Sequence, residues 1–281
     1  MRKNHVCFKK WLLRQVCKKG YFRDFDQEDL EIEFQKGFVE TSEFFKRLGN
    51  NVCFKNKTVL DFGCGLGSTC FYMAFKGAKK VVGTDIDVDR ISFAKLKTAE
   101  YENIAKQLEF ELCSNMSKEK FDIVLSKDCF EHYANPKALM RLLRSHLRQN
   151  GKLVVGFSPL WKSPYGAHLT ALTKFPWVHA SFPESLVMEE VRRFFKNQTW
   201  QTYRDIPFCG GLNQITLQEF LKIAEETAFE FEYLKINAAS DPKLKILFKT
   251  LSIARKIPYL SDYFAINLYS IMKLKTDSEI S

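Results

Sequence analysis

Two acids flanking a run of glycines are the residues of this chain best suited to hold a charged ligand. Asp61 opens Asp61-Phe-Gly-Cys-Gly-Leu-Gly67, and Asp85 ends the apolar run Val81-Val-Gly-Thr-Asp85. Asp85 stands roughly 20 positions after Gly63, the offset at which a carboxylate accepts ribose hydroxyls in nucleotide-binding α/β folds. Gly63, Gly65 and Gly67 let a backbone turn sharply and approach a ligand with no Cβ in the way. A second group is Asp128-Cys-Phe-Glu-His132. An imidazole titrating near ~6.5 can take a proton from an incoming nucleophile, with Glu131 beside it. If that stretch is helical, Asp128, Glu131 and His132 share one face and form a partial shell for a divalent ion, which His168 or His179 could close.

The glycine spacing discriminates between ligands. A pyrophosphate loop needs G-x-G-x-x-G with a helix N-terminus aimed at phosphate. Here the third glycine comes one position early, and Ser68 stands where that pattern needs glycine. Asp61 would repel a phosphate and attract an ammonium. A ligand with a ribose, an amino group and no phosphate fits, and S-adenosylmethionine is such a ligand.

These residues need elements to hold them. Apolar runs at 58–62, 80–84, 108–112, 121–126 and 151–156 read as strands, alternating with helices at 68–76, 88–106 and 136–148. That alternation predicts an α/β fold with a doubly wound parallel sheet. Asn135-Pro136 marks a helix entry, and Thr216 with Glu219 has the spacing of a capping box. Strand-like content returns at 229–236 and about 264–273. Residues 1–50 read as an N-terminal helical cap and 51–281 as the main domain. Within it, 157–213 is an insertion rich in proline and aromatic residues, Trp161, Trp177 and Trp200 among them. Placed after the fifth strand, it would arch over the ligand-binding edge of the sheet.

Asp61–Gly67, the Val-Val-Gly-x-Asp-Ile-Asp87 strand end, Phe121–Ser126 with Asp128–His132, and Gly151-Lys-Leu-Val-Val-Gly156 resemble, in order, four motifs of the class I S-adenosylmethionine-dependent methyltransferases. The resemblance implies a Rossmann-like seven-stranded sheet, an enzyme and that cofactor. It implies that the main chain of Gly63, Cys64, Gly65 and Gly67 holds the methionine portion, with Asp61 near its ammonium. Asp85 would hold the ribose and Ile86 would pack on adenine. Asp87 would either join that site or cap the next helix. Where relatives carry an acid after the third strand, this chain has Leu112-Cys-Ser-Asn-Met-Ser117, so Ser114 becomes the candidate for the adenine amino group. The Pro-Pro turn of nucleobase amino methyltransferases is absent, which favours a hydroxyl acceptor on a small molecule, sugar or lipid-linked glycan. His132 would be the base, or Glu-His a cofactor-pocket element. The Asp128, Glu131, His132 set is also similar to the E-x-x-E-H metal site of some O-methyltransferases. Ser163–His168 and Phe175–His179 are similar to segments in small-molecule and glycan methyltransferases. An RNA-modifying enzyme and a non-catalytic partner subunit are the competing readings.

Composition sets bounds on these readings. The chain has 281 residues, 46% of them hydrophobic, enough for a full core. Its 8 cysteines contain no C-x-x-C pair, which argues against a zinc knuckle and for a reducing, cytoplasmic setting. The formal net charge is +10, but Lys and Arg are dispersed, which argues against a nucleic-acid partner and leaves room for anionic substrates or membrane surfaces. The first 25 residues set Trp11, Leu12, Leu13 and Val16 among lysines. This segment reads either as a helix at a membrane surface or as a cap on the fold.

Overall fold

The apolar runs around Val59, Val81, Val124 and Val154 form the middle of a seven-stranded sheet in a computed structural model of the protein. The structure describes residues 2–17, 30–170, 172–194, 212–239, 242–257 and 259–275. Helices α1 (Arg2–Val16) and α2 (Leu30–Arg47) come first. The units β1 (Thr58–Phe62), α3 (Ser68–Phe75), β2 (Lys80–Asp85), α4 (Val88–Thr98), α5 (Glu102–Ala105) and β3 (Leu108–Leu112) follow. Then come β4 (Phe121–Lys127), α6 (Pro136–Ser145) and β5 (Leu147–Phe157). Helices α7 (Val178–Ser181) and α8 (Glu184–Phe194) lie beyond β5. The chain closes with α9 (Leu217–Glu226), β6 (Phe229–Ile236), α10 (Pro242–Ala254) and β7 (Leu268–Leu274). The strand order is β3-β2-β1-β4-β5-β7-β6, with β7 antiparallel to both neighbours.

Each inner strand divides its residues between two buried faces, which is why the strands read as nearly unbroken apolar runs. Val59, Val81, Ile123, Leu125 and Val154 enter the core under α2, α3 and α4. Leu60, Val82, Val124, Leu153 and Val155 enter the core under α6 and α9. Asp61 shares the first face with Val59. Phe34, Phe44 and Phe45 fasten α2 to that face, each contributing about 1.5–3 kcal/mol by burial. Asn135 accepts a hydrogen bond from Ala138 N (3.0 Å), and both halves of the Thr216–Glu219 capping box are formed.

Some elements depart from the sequence reading. The helix expected over 88–106 breaks after Thr98, because Tyr101 turns inward to pack its ring on Phe34, Phe71 and Phe75. The helix expected to reach 148 stops at Ser145. There the carbonyl of buried His146 accepts from Phe121 N (2.8 Å), and β5 starts one residue later. Helix α10 was not anticipated.

The insertion builds a small core of its own with the N-terminal helix. Leu13 and Cys17 pack among Leu169, Leu172, Phe182, Val187 and Val191. Arg14 Nε donates to Glu190 Oε1 at 3.0 Å, and Glu190, 1% exposed, also pairs with Arg193. Thus α1 lies on the insertion and α2 on the sheet, while Phe8, Trp11 and Leu12 stay exposed. Of the two described tryptophans of the insertion, Trp161 packs within it, while Trp177 also sets its ring edge-on against Phe264 (centroids 6.2 Å apart). The Trp161 ring lies 4.7 Å from His179, and Trp177 Nε1 donates to Lys162 O (3.0 Å). Trp200 and the stretch 195–211 lie outside the described residues.

Gly156 marks the closest approach of α2 to the sheet. A Cβ there would stand 2.7 Å from both the Phe44 and Tyr269 rings. Gly156→Ala should therefore cost about 1–3 kcal/mol by overpacking, read as a lower midpoint in thermal or urea unfolding.

Candidate active site

The sheet order reverses between β1 and β4, and a crevice opens at their carboxyl ends, where open α/β sheets take ligands. The glycine turn forms one wall. Gly63 N and Cys64 N both donate to Thr84 O (2.8 and 3.0 Å), so the turn is fastened to the end of β2. Gly65 N then donates to Asp85 Oδ2 (2.8 Å), while Asp87 N donates to Oδ1 (3.0 Å). The carboxylate is held from both sides before any ligand arrives. Asp87 itself caps α4, accepting from Asp89 N and Arg90 N, and it also lines the cleft beside Asp85.

The three glycines are present for different reasons. A Cβ on Gly63 would stand 2.4 Å from Cys129 Sγ, and one on Gly67 would stand 2.8 Å from the Phe110 ring. Those two positions serve close packing. At Gly65, with φ +54°, a Cβ would meet only Arg90 Nη1 at 3.4 Å, and this glycine, like Gly63, borders two cavities.

The larger cavity, about 550 Å³, is lined by Asp85, Ile86, Cys113, Ser114 and Met116 on one side. Phe62, Asp128, His132 and Tyr133 line the other. Ile86 is 61% exposed, an apolar side chain held in the open beside a carboxylate. The adjoining cavity of about 290 Å³ is strongly charged, with Glu33, Glu40, Asp61 and Asp128 facing Arg90 and Lys127. Arg90 Nη1 donates to Glu33 Oε1 (2.8 Å), and Lys127 pairs with Asp128 at 2.9 Å. Burial pulls the Lys127 pKa down, but Asp128, Glu40 and Asp61 outweigh it and leave it raised. Asp61 is 1% exposed, and that desolvation pushes its pKa up to about 7 despite the Cys70 thiol donating to Oδ2 at 3.3 Å. A glycine cradle, a fixed carboxylate, an exposed aliphatic shelf and an acidic chamber match the ribose, adenine and ammonium of S-adenosylmethionine. Glu33, Glu40 and Arg90 are not legible in the sequence, because each is a solitary charge until α2 and α4 bring them together.

The segment after β4 is not helical through Asp128. Asp128 has φ +49°, and only Phe130–His132 forms a 3₁₀ turn. The shared helical face needed for a metal site is therefore missing. Asp128 turns to Lys127, Glu131 is buried, and among the described residues no three His, Cys, Asp or Glu side chains gather to hold a metal ion. Glu131 does not line the cleft. Burial holds its carboxyl pKa well above the usual range, with Asp128 adding to the effect. His132 does line the cleft, and its ring packs edge-on against His168 of the insertion, centroids 5.7 Å apart. Burial and nearby His132 push the His168 pKa down to about 4, which leaves His168 neutral. His179 stands apart on Trp161. Asn213 binds the 3₁₀ turn from behind, its Nδ2 donating to Phe130 O (2.8 Å) and Tyr133 O (2.9 Å). Besides His168 and Asn213, the insertion comes to this region at Ser158. That residue borders a third cavity with Arg47, Glu40 and Lys127.

A family model described as a methyltransferase domain matches residues 34–230. The chain is 31% identical over 170 residues to phosphoethanolamine N-methyltransferase 1 of Arabidopsis thaliana, covering 54% of this chain and 33% of that protein. It is 32% identical over 113 residues to the ubiquinone biosynthesis O-methyltransferase of Bradyrhizobium diazoefficiens, covering 40% of this chain and 44% of that protein. The match therefore spans about a third of the first relative and under half of the second. Among solved structures, an S-adenosylmethionine-dependent methyltransferase from Mesorhizobium loti superposes with a TM-score of 0.54 at 14% identity, over 84% of this chain and 99% of that one. Geranyl diphosphate methyltransferase in complex with SAM gives 0.52 at 12% identity, over 84% and 85%. The structural likenesses carry the fold, and the family model spans β1 to β5 with the glycine turn, Asp85 and His132. The chain belongs to the class I S-adenosylmethionine-dependent methyltransferases.

Proposed function

We propose that the protein methylates a hydroxyl of a small molecule, a sugar or a lipid-linked glycan, with His132 as the base. The observation that carries this reading is the His132 imidazole at the cleft wall, set against a neutral His168 and fixed from behind through Asn213. When bound, S-adenosylmethionine supplies an electrophilic methyl group. Asp85 accepts the ribose hydroxyls, and Gly65 gives the main chain room to approach. Ile86 covers adenine, and Ser114, exposed at the same wall, meets the adenine amino group. In the charged chamber Asp61 faces the ammonium, while Arg90 and Lys127 suit a carboxylate. His132 takes the acceptor's proton as the nucleophile is aligned. An amine acceptor is the second reading, favoured by the likeness to an N-methyltransferase. His132 would serve it in the same way, by removing a proton from the ammonium.

Four outcomes test this assignment. Asp85→Ala removes an acceptor of two charge-assisted hydrogen bonds and should weaken cofactor binding by about 2–4 kcal/mol in titration calorimetry. Unchanged affinity would remove Asp85 from the site.

The raised Asp61 pKa gives a pH signature. In the empty protein it is raised from 3.8 to about 7, so ionising Asp61 costs the empty fold stability as pH climbs through that window. A bound ammonium favours the carboxylate, so binding below about 7 must expel a proton. Affinity should fall about tenfold per pH unit on the acid side and level off on the alkaline side. Asp61→Asn should flatten that profile, and a sloped profile surviving in the variant would refute the role.

Extracts incubated with methyl-labelled cofactor and searched by mass spectrometry should yield a product labelled on oxygen, or on nitrogen if the amine reading holds. His132→Ala should lower kcat by about 10²–10⁴ while cofactor affinity holds. An unchanged kcat would exclude His132 as the base.

A further inference from the structure

Among the described residues, α10 supplies no side chain to any of the three cores, although its sequence is rich in Leu and Ile. Ile246, Leu247 and Ile253 are 78%, 51% and 62% exposed, and just past the helix Tyr259 is 97% exposed. Ile246 and Ile253 are spaced two helical turns apart, so they share a face, and exposed Ile257 follows just past the end of the helix. The same stretch has one sign of charge. From 242 to 260 it contains Lys243, Lys245, Lys249, Arg255 and Lys256 and no Asp or Glu. Lys249 and Lys256 are exposed alongside the isoleucines. A run of water-facing isoleucine that adds nothing to the fold marks an interaction surface.

We propose that this face of α10 binds an anionic lipid bilayer. Isoleucine and tyrosine entering the boundary between headgroups and acyl chains, with lysines held at the charged surface, form the pattern of an interfacial amphipathic helix. A second copy of the chain is a poorer occupant, because a two-fold contact would set the same cations against each other. Position adds a reason. Strand β6 is antiparallel to β7, which is antiparallel to β5, so β6 points the same way as β1 and β4. Its end, and α10 after it, lie on the sheet edge where the cleft opens. Paired asparagines lock the base of this excursion, Ala238 N donating to Asn267 Oδ1 (2.8 Å) and Ile266 N to Asn237 Oδ1 (2.7 Å). Lys162–Asp262 ties the returning segment to the insertion. The helix is thus a mounted feature of the active-site edge, and a bilayer held there would be close to where an acceptor enters.

The test is sedimentation of the full-length protein with vesicles, which requires no turnover and so stands or falls apart from the acceptor assignment. Wild type should bind vesicles of phosphatidylcholine containing phosphatidylglycerol, lose that binding in high salt, and ignore pure phosphatidylcholine. Ile246→Asp with Ile253→Asp, both at exposed positions, should leave the melting curve unchanged and weaken binding roughly tenfold or more. Lys249→Glu with Lys256→Glu should weaken it on the order of tenfold or more and flatten the salt dependence. Three results would overturn the proposal. One is wild type failing to bind anionic vesicles. Another is both variants binding like wild type, which would move the contact elsewhere, α1 with its exposed Phe8 and Trp11 included. The third is concentration-dependent dimerisation that masks α10 without vesicle binding, which would make a second copy the occupant.

Discussion

The site depends on the way the glycine turn is fastened to the neighbouring strand. One carbonyl, Thr84 O, receives two backbone N–H groups from the turn, and one carboxylate, Asp85, receives a third. These bonds fix the ends of β1 and β2 to each other, beside the gap between β1 and β4 where the sheet reverses. Because Asp85 is oriented by main chain on both oxygens, its placement owes nothing to side-chain packing that a ligand would have to rearrange. Preorganisation of this kind spares binding the cost of ordering an ionised side chain. The exposed shelf at Ile86 follows directly from the strand end.

Charge is handled differently a few ångströms away. Asp61 sits near the end of a fully buried strand, between Leu60 and Phe62 and on the face covered by α2 and α3, so it is 1% exposed and poorly solvated. Its near-neutral pKa is the consequence. In the same chamber Arg90 pairs with Glu33 and Lys127 with Asp128, while Glu40 and Asp61 add further acid groups. A zwitterionic ligand can exchange those partners without leaving a charge unbalanced, whereas a polyanion could not.

Much of this was legible in the sequence, for physical reasons. The period and apolarity of buried parallel strands gave five strand positions to within a few residues, and the glycine turn with Asp85 gave the place of the site. Capping chemistry was equally readable at Asn135 and Thr216, because a cap acts over three residues. Long-range partners were not readable. Nothing local in Tyr101 says that its ring will break a helix to join Phe34, and nothing local in Asn213 says that it will clasp the turn carrying His132. The metal reading at Asp128, Glu131 and His132 failed on backbone geometry. Spacing alone implied a shared face, but a left-handed residue at Asp128 and a single 3₁₀ turn leave Asp128 paired with Lys127, and only Glu131 and His132 stay near each other, 3.9 Å apart.

The contact between α1 and the insertion has a consequence for the order in which the molecule assembles. Arg14 and Glu190 are separated by 176 positions, so during synthesis the first helix leaves the ribosome long before its partner exists. A helix of 15 residues is marginal in water by itself, and Leu13 and Cys17 have no other core to enter. Closing so long a loop pays its entropy before any contact rewards it. The sheet, whose early strands pair with near neighbours, can form first. The N-terminal segment and the insertion would then dock late and together, as one cooperative unit whose opening would loosen the wall behind His132 while the cofactor half of the sheet stays folded.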